Sequence, residues 1–275
     1  MASSGLKDKV AIVSGASKGL GRAYALALAE AGAQVVALAR SVEGDPSKPG
    51  SLAELVATGR AMGGKITAFG CDITNEASIV QAVQETIANF GAVDVLVNNA
   101  VWQGRGFKVL EAPLDDWENT MRVNVRGPYV FMRELVPQMI ERGGGSIINI
   151  TSASAGRTEP GTGMHDGLLI YGVSKAALER LTTYFAAHYR GRGVAVNAIS
   201  PGHVFNYMQA SGREPDRAYW GAPIVHLAQQ RPAEGLTGEI LHTYTYGRSW
   251  GPKPATPPQL DEHLVAILEE FGPKD

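Results

Sequence analysis

Tyr171 and Lys175 stand at a spacing that could support proton transfer. They are four positions apart and share one face of a predicted helix. A free tyrosine has a pKa of about 10 and is a poor base near neutrality, but an ammonium group within a few ångströms favours the phenolate. Tyr171 would then give a proton to a carbonyl oxygen or take one from an alcohol. Ser152, which ends a predicted strand, would hydrogen-bond the same oxygen and stabilise its developing charge.

A run of closely spaced glycines has the pattern of a phosphate-binding turn. Gly15, Gly19 and Gly21 lie between the first predicted strand and the first predicted helix. Glycine permits a tight turn and lets the backbone approach a ligand, and the start of the helix presents free N–H groups and a partial positive charge. The alternative is an ordinary glycine-rich turn, which the position of these glycines in an α/β chain disfavours.

Apolar segments that alternate with helical patterns indicate how these residues would be brought together. Apolar segments without polar alternation predict strands at residues 10–14, 35–39, 66–69, 93–98, 146–150, 194–200 and 239–242. Helical spacing covers 22–31, 75–90, 115–142 and 174–190, with an irregularity expected near Gly127 and Pro128, and an amphipathic segment covers 259–271. The sequence therefore predicts an α/β fold: a Rossmann-type, doubly wound parallel sheet of about seven strands flanked by helices.

Composition and charge limit the possible classes of protein. Of the 275 residues, 44% are hydrophobic and 19% are charged, which supports one buried core, and residues 1–275 are predicted to form a single domain. The formal net charge of −2 gives no reason to expect a nucleic-acid partner. The absence of long apolar runs, of a signal-peptide pattern and of any cysteine besides Cys71 leads us to expect a cytoplasmic protein without membrane contact. The six histidines lack ligand spacing, so no metal site is predicted.

The order of three motifs resembles that of the short-chain dehydrogenase/reductase family. The glycine turn is followed by Asn98-Asn99-Ala100 and then by Tyr171-Gly172-Val173-Ser174-Lys175, and the resemblance extends over most of the chain. It implies an oxidoreductase that interconverts a carbonyl compound and an alcohol by means of a nicotinamide cofactor. It also implies that Asn124, Ser152, Tyr171 and Lys175 are catalytic. In the family, the asparagine holds a water that links the lysine to solvent, and the lysine holds the nicotinamide ribose.

Four features depart from the family pattern. Val101 stands where the family has glycine after Asn-Asn-Ala, and Asn206 stands where it commonly has threonine. The segment 157–170 is expanded, and the Asp-Gly-Gly ending is absent. We expect the expanded segment to affect the choice of substrate and the altered ending to affect the C-terminal contacts between subunits.

Arg40 and Lys18 favour NADP(H) over NAD(H). A site for NAD usually has an acidic residue at the end of the second strand, whereas this strand ends in Ala39-Arg40. Arg40 can form a forked, charge-assisted contact with a 2′-phosphate, Lys18 can add a positive charge, and the family uses both positions in NADP-preferring members. The alternative is that both are solvated surface charges, and the nearby Glu43 and Asp45 weigh slightly towards it. The residues expected to contact the cofactor are Gly15, Ser17, Lys18, Gly19, Leu20, Gly21, Arg40, Asp72, Ile73, Asn98, Ala100, Tyr171, Lys175, Pro201, Gly202, Val204 and Asn206.

The segment 203–222 corresponds to the family's mobile substrate loop, and residues 252–275 form a C-terminal tail. Trp102, Phe205 and Trp220 are expected to line an apolar cleft for a small molecule, which favours a hydrophobic or aromatic carbonyl compound over a sugar. Core packing is the alternative for each of them. The resemblance further implies a homo-oligomer, a dimer or a tetramer, built on the helices at 115–142 and 174–190.

Two other functions remain open at this stage. An NADP-dependent reductase of a C=C or C=N bond would need the same cofactor site. A redox sensor would bind NADP(H) without turnover, but it would have no need of Ser152, Tyr171 and Lys175 together. The presence of these three residues in the family's order therefore favours an enzyme that acts on an alcohol or a carbonyl group, a carbonyl reductase.

Overall fold

Seven strands form one sheet, with the order β3-β2-β1-β4-β5-β6-β7. The computed structural model of the protein describes residues 5–44, 50–156, 166–232, 235–253 and 262–271. The strands are β1 (Val10–Ser14), β2 (Gln34–Ala39), β3 (Lys65–Gly70), β4 (Val95–Asn98), β5 (Gly145–Ile150), β6 (Val194–Ser200) and β7 (Ile240–His242). All pairings between these strands are parallel, so the predicted doubly wound parallel sheet is confirmed.

Helices cover both faces of the sheet and bury two hydrophobic cores. They are α1 (Gly19–Glu30), α2 (Leu52–Ala61), α3 (Glu76–Phe90), α4 (Leu114–Met121), α5 (Gly127–Glu141), α6 (Leu169–Tyr189), α7 (Val204–Ser211), α8 (Arg217–Ala228) and α9 (Glu262–Phe271). One core contains residues of α1, α2, α8 and α9, and the other contains residues of α3, α5 and α6. In the described ranges, no helix combines the length and the apolar character that crossing a membrane requires.

The sheet changes direction between β1 and β4. The chain adds β2 and β3 on one side of β1 and then continues with β4 on the other side, so the connections leave the carboxyl ends of β1 and β4 in opposite directions. Such a switch point opens a crevice in which doubly wound sheets bind their ligands. The Ser14 hydroxyl ties the two strand ends together, because it accepts hydrogen bonds from the N–H groups of Asn99 (3.0 Å) and Ala100 (3.1 Å). The glycine turn therefore begins at this crevice.

A π-helical turn, Arg122–Arg126, separates α4 from α5. The sequence predicted one long helix with an irregularity near Gly127 and Pro128, and the irregularity lies directly before them. Pro128 has no N–H to donate back into the preceding turn, which interrupts the regular α-helical hydrogen bonding. A side chain at Gly127 would overlap the Ile73 side chain, so α5 can approach the end of β3 this closely only with glycine there. The π-helical turn directs Asn124 into the interior, where it is fully buried.

Several helices differ from the sequence predictions. Helix α2 was not predicted, and the segment predicted as a loop at 203–222 contains α7 and the start of α8. Helix α8 shows no amphipathic period because it is buried on several sides, and a side chain at Gly221 would overlap Ala27 of α1. Helix α6 begins at Leu169 rather than at 174, which places Tyr171 in its first turn.

The predicted amphipathic tail is confirmed as a helix over part of its length. Helix α9 buries Leu264 and Ile267 in the core that also contains α8. Residues 254–261 and 272–275 of the predicted tail lie outside the described residues, as does most of the expanded segment at 157–170. The tail therefore docks on the body of the same chain through α9.

Candidate active site

The glycine turn has a backbone that only glycine adopts easily. Gly15 and Gly19 have φ angles of +66° and +58°, in the left-handed region. A side chain at Gly21 would overlap the carbonyl oxygen of Gly15, so helix α1 starts directly against the turn. The Asn99 side chain fixes this arrangement by donating hydrogen bonds to the carbonyl oxygens of Ser14 (2.9 Å) and Gly15 (3.1 Å). The turn thus presents the start of α1 at the switch point, as the sequence predicted.

The N-terminus of α1 has no side-chain cap from the chain segment before it. Lys18 is the N-cap residue, and its side chain makes no capping hydrogen bond. The first N–H groups of a helix have no partner within the helix, so they are available to an anion. One of them is in use: the Gly19 N–H donates a hydrogen bond of 2.6 Å to a carboxylate oxygen of Glu214, in the connection between α7 and α8. The predicted contact residues Ser17 and Leu20 are half-buried in the same turn.

Arg40 and Asp72 lie together at the ends of β2 and β3. Thr74 donates to one Asp72 oxygen through its backbone N–H (3.0 Å) and its hydroxyl (2.8 Å). The Thr74 backbone hydrogen bond holds the pKa of Asp72 below its usual value despite partial burial, and the Thr74 hydroxyl and the charge of Arg40 act in the same direction. Arg40 is exposed. Gly50 packs against Lys18, so the chain after β2 comes back to the glycine turn. Asp45, which could have weighed against NADP(H), lies outside the described residues.

Tyr171, Ser152 and Lys175 meet between the end of β5 and the first turns of α6. Ser152 follows β5, and its hydroxyl hydrogen-bonds Tyr171. The Lys175 ammonium lies 5.6 Å from the centre of the Tyr171 ring and donates a 2.7 Å hydrogen bond to the carbonyl oxygen of Ile150. Lys175 is 2% exposed. The structure therefore brings together the three residues that the motif order had paired.

Burial dominates the protonation of this site. It raises the pKa of Tyr171, an effect that the hydrogen bond with Ser152 opposes, and it lowers the pKa of Lys175 to about 7. The sequence argument expected the ammonium to lower the pKa of Tyr171. In the protein without cofactor, burial raises the pKa of Tyr171 instead, and Lys175 is itself desolvated, which disfavours its charged form. Near neutral pH, Tyr171 is therefore protonated, and Lys175 takes both its charged and its neutral form.

Asn124 connects this centre to the loop that follows β4. Its amide oxygen accepts from the Trp102 N–H, and its amide nitrogen donates to the Trp102 carbonyl, both at 2.8 Å. The same nitrogen donates to the Ser174 hydroxyl at 2.9 Å, and Ser174 donates to the Tyr171 carbonyl at 2.7 Å. Asn124 therefore fixes the position of Trp102 relative to the first turn of α6.

Asn98 has a structural position inside the sheet. Its side-chain nitrogen donates to the amide oxygen of Asn149 on β5 (2.8 Å), and Asn149 donates to the Thr182 hydroxyl on α6 (2.8 Å). All three residues are buried. This chain of hydrogen bonds links β4, β5 and α6 beneath the candidate site. The neighbouring Val101, where the family has glycine, is exposed on the loop.

Of the two aromatic residues after β6 that were predicted to line the substrate cleft, one is exposed and the other is buried. Gly202 has a φ of +80°, and Val204 and Asn206 follow on α7. Phe205 is 69% exposed, in agreement with an open position. Trp220, in contrast, is 1% exposed and donates its indole N–H to the Pro201 carbonyl at 3.0 Å. The prediction that Trp220 lines the cleft is therefore corrected: this side chain packs in the core and supports the Pro201 turn from inside.

Asp116 is a site residue that the sequence reasoning missed. Its buried carboxylate accepts hydrogen bonds from the Trp102 indole (3.3 Å), the Arg105 backbone N–H (3.2 Å) and the Arg105 side chain (3.3 Å). Burial raises the pKa of this carboxyl, but the three hydrogen bonds together hold it below its usual value. Gly104, with φ +82°, leaves room for the carboxylate. An acidic residue in the first turn of a helix looks like an ordinary dipole partner in sequence, so nothing marked it out.

The structure gives no sign of a metal centre in the ranges that it describes. No group of three or more His, Cys, Asp or Glu side chains is placed to hold a metal ion there. The polar groups at the crevice are instead backbone N–H groups, hydroxyls, amides and the buried ammonium. Such groups suit a phosphorylated organic cofactor and a small oxygen-containing substrate.

Comparisons with known proteins agree with the fold. Residues 9–217 match the model of the short chain dehydrogenase family. The chain is 36% identical to D-threitol dehydrogenase of Mycolicibacterium smegmatis, over 71% of this chain and 70% of the relative. It is also 36% identical to an NAD-dependent oxidoreductase of Mycobacterium tuberculosis, over 71% of each chain. A metagenomic short-chain oxidoreductase solved in complex with NADP superposes with a TM-score of 0.72 at 31% identity, covering 86% of this chain and 98% of that one.

The doubly wound sheet with a glycine turn at its switch point defines a dinucleotide-binding fold. The chain belongs to the short-chain dehydrogenase family. Its class of activity follows from that membership: it is an oxidoreductase that acts on an alcohol or carbonyl group of a small molecule.

Replacing Lys175 by Met should stabilise the cofactor-free protein at pH 7, because the variant no longer buries an ammonium group. We expect a gain of about 1–3 kcal/mol in the free energy of unfolding. Between pH 7 and about 10 the unfolded wild-type chain keeps a proton on Lys175 that the folded chain has lost, so wild-type stability rises with pH. The difference in the free energy of unfolding between the variant and the wild type should therefore become smaller over this pH range. Urea unfolding at several pH values measures this difference. A difference that does not change with pH would contradict a lowered pKa of Lys175. The exposed Lys65→Met serves as control.

Replacing Asp116 by Asn should loosen the loop after β4, because each carboxylate oxygen accepts at least one hydrogen bond, so the amide nitrogen would face at least one donor in either orientation. We expect a loss of about 1–3 kcal/mol in the free energy of unfolding. The matched control is Asp115→Asn, which removes the same charge from a side chain that is 67% exposed and pairs with the same arginine. That variant should lose less than about 1 kcal/mol. Equal losses would show that Asp116 has no special part in holding the loop.

Proposed function

We propose that the protein is an NADP(H)-dependent oxidoreductase that interconverts a ketone or aldehyde and an alcohol, with Tyr171 as the acid and base. The observation that carries this proposal is the meeting of Ser152, Tyr171 and Lys175 beside the crevice at which the glycine turn begins. A hydroxyl, a phenol and a buried ammonium at that point can bind one substrate oxygen and move one proton.

The residues of the crevice fit a nicotinamide dinucleotide. The glycine turn offers backbone N–H groups to the pyrophosphate, Asp72 stands where the family meets the adenine, and the Pro201-Gly202 turn stands where the carboxamide is met. When bound, the nicotinamide supplies or accepts the hydride at the carbonyl carbon. The remaining steps belong to the protein: Ser152 orients the substrate oxygen, and the Tyr171 hydroxyl gives or takes its proton.

Lys175 acts on Tyr171 through its charge. The side chain is buried and its pKa lies at about 7, so it can be charged or neutral near physiological pH. Charge on the ammonium favours the phenolate form of the neighbouring Tyr171. The Lys175 nitrogen donates to the Ile150 carbonyl, which leaves two of the three ammonium donors for other partners; in the family, the lysine holds the nicotinamide ribose. Asn124, which is fully buried beside Ser174, would hold the water that connects this lysine to solvent.

Arg40 and Lys18 support NADP(H) as the cofactor. Both side chains are exposed, Arg40 after β2 and Lys18 in the glycine turn. Strand β2 ends in Ala39 followed by Arg40, so its tip carries no carboxylate that could hold a pair of ribose hydroxyl groups. Arg40 acts on Asp72 electrostatically, so its guanidinium lies on the adenine side of the crevice. A 2′-phosphate there would gain charge-assisted hydrogen bonds. The relatives include both an NAD-dependent enzyme and a structure with bound NADP, so this preference is a property to test on this chain.

Exposed aromatic side chains near the crevice favour a hydrophobic or aromatic substrate. Trp102 is held in the loop after β4 by Asn124 and Asp116, and it remains 37% exposed. Phe205 stands on α7 with most of its surface in solvent. Apolar surface held at the edge of a polar reaction centre suits a substrate with a small carbonyl group on an apolar body.

The exposed faces of α4, α5 and α6 support a homo-oligomer. Trp117, Tyr129, Val173 and Tyr184 stand on these helices and leave large apolar surfaces in solvent. Exposed apolar groups on neighbouring helices are typical of a subunit interface. We propose a dimer or tetramer built on this face, and sedimentation of the purified protein would measure it.

The cofactor assignment is tested by comparing NADPH and NADH oxidation with a panel of aromatic ketones, aliphatic aldehydes and sugars. We expect faster oxidation of NADPH, and we expect Arg40→Gln to raise the KM for NADPH by about 10-fold or more, the strength of a charge-assisted hydrogen bond. The KM for NADH should change little in that variant. Arg60→Gln, an exposed arginine on α2, is the control. Faster oxidation of NADH by the wild type would reverse the cofactor assignment without affecting the proton-transfer residues.

Replacing Tyr171 by Phe should abolish proton transfer while leaving the cofactor site intact. We expect a fall in kcat of about 100- to 10,000-fold with little change in NADPH affinity. The matched control is Tyr184→Phe, which removes a hydroxyl from an exposed position on the same helix. Steady-state assays with a substrate that the wild type converts measure kcat, and titration with NADPH measures the affinity for the cofactor. A variant that retains wild-type turnover would exclude Tyr171 as the acid and base and favour reduction of a C=C or C=N bond.

A further inference from the structure

Glu214 makes the contact with the N-terminus of α1 that an incoming phosphate would need. Its carboxylate oxygen accepts a hydrogen bond from the Gly19 N–H at 2.6 Å. Gly19 is the first residue of α1, and the N-cap residue Lys18 gives the helix no side-chain cap. A carboxylate at this point gains from the N–H donor and from the partial positive charge of the helix N-terminus. These are the features by which the glycine turn would hold a pyrophosphate.

The backbone on both sides of Glu214 is fixed, so the carboxylate is held in place. Before it, Gly212 ends α7 in the left-handed conformation and donates its N–H to the Met208 carbonyl. After it, Pro215 is buried, and the Asp216 side chain caps α8 by accepting from two backbone N–H groups at 2.7 and 3.0 Å. The α7–α8 connection (residues 212–216) therefore spans two well-defined helix ends, with Glu214 between them.

Helix α8 is anchored to α1 independently of this contact. Arg217 pairs with Glu30 near the C-terminal end of α1 at 3.0 Å. Gly221 of α8 packs closely against Ala27 of α1. Tyr207 holds α7 in the same core, where its ring lies 4.9 Å from that of Trp220, so both helices keep their places when the Glu214 contact is lost. The connection between them leads directly to α7. That helix carries Phe205 and Asn206, which stand at the candidate substrate and cofactor sites.

We propose that Glu214 is a resident anion in the glycine turn, which competes with the cofactor's phosphates and so sets the affinity for the cofactor. This inference rests on the proposed function, because it takes the glycine turn as the pyrophosphate site. A carboxylate and a pyrophosphate cannot share one N–H donor, and their like charges repel each other at this distance. Binding of the cofactor therefore requires the Glu214 carboxylate to leave the Gly19 N–H.

The expected effect of Glu214 on cofactor affinity is modest, because its contact with the Gly19 N–H lies at the surface. An anion at an exposed helix N-terminus gains roughly 0.3–1 kcal/mol, which corresponds to a factor of about 2–5 in a binding constant. Glu214→Gln keeps the shape and one acceptor oxygen but removes the charge. Glu214→Ala removes the contact completely. Both variants should bind NADPH about 2–5-fold more tightly than the wild type, and the effect should shrink at high salt.

The experiment is a titration of each purified, full-length variant with NADPH and with NADH, followed by the change in nicotinamide fluorescence. The control is Glu141→Gln, which removes the same charge from an exposed residue at the end of α5. The control should match the wild type. Equal Kd values for Glu214→Gln, Glu214→Ala and the wild type would overturn the proposal. A higher Kd in these variants would also overturn it, because Glu214 would then assist the cofactor rather than oppose it.

Thermal unfolding provides a second readout that separates competition from simple destabilisation. Without cofactor, Glu214→Ala should unfold at a lower temperature than the wild type, because it lacks the Gly19 contact. With saturating NADPH, the two should unfold at the same temperature, since the wild type has then lost that contact as well. A deficit that persists with NADPH would overturn the proposal. If the wild type and all variants bind neither NADPH nor NADH, the proposed function itself fails, an outcome distinct from equal and measurable Kd values.

Discussion

The side-chain amide of Asn124 is the contact on which the arrangement of the candidate site depends. One buried amide binds both backbone polar groups of Trp102 and the hydroxyl of Ser174, and it therefore joins the loop after β4 to the helix that carries Tyr171 and Lys175. It reaches this position only because a π-helical turn rotates residue 124 inward between α4 and α5. A regular helix through this segment would direct the same side chain elsewhere. The local irregularity is thus part of the site.

The resting site combines desolvation with unused hydrogen-bonding capacity. Lys175 is buried with one donor on a backbone carbonyl, Tyr171 is largely desolvated, and the start of α1 relies on a carboxylate from a distant connection. Each of these groups is held in place by elements of the fold before any ligand arrives. For Lys175 and Tyr171, preorganisation of this kind lowers the cost of reaction, because these side chains need not be reordered when the ligand enters. The carboxylate at the start of α1 acts in the opposite direction, because the ligand has to displace it.

The strands and the motif residues could be predicted from sequence because their signals are local. The seven predicted strands agree with the observed strands to within two residues at each end, and the glycine turn, Ser152, Tyr171 and Lys175 occupy the elements expected of them. The residues whose roles were predicted wrongly or not at all depend on contacts between segments that are distant in the sequence. Trp220 looked like a cleft residue until α8 was seen to pack on α1, and Asp116 and Glu214 bind backbone groups that no short pattern connects to them. The pKa of Tyr171 was misjudged because spacing reveals which charges are near but not how deeply they are buried.

The family match ends at residue 217, at the start of α8, although the sheet and its cores continue beyond it. What lies past that point, α8, β7 and α9, supports the Pro201-Gly202 turn from behind: Trp220, Tyr244 and Leu264 surround a small cavity beneath it. The proton-transfer residues all lie before that point. The position of the turn that follows β6 therefore depends on elements that come after the proton-transfer residues in the chain, so a substitution in α8, β7 or α9 can shift this turn without touching Ser152, Tyr171 or Lys175.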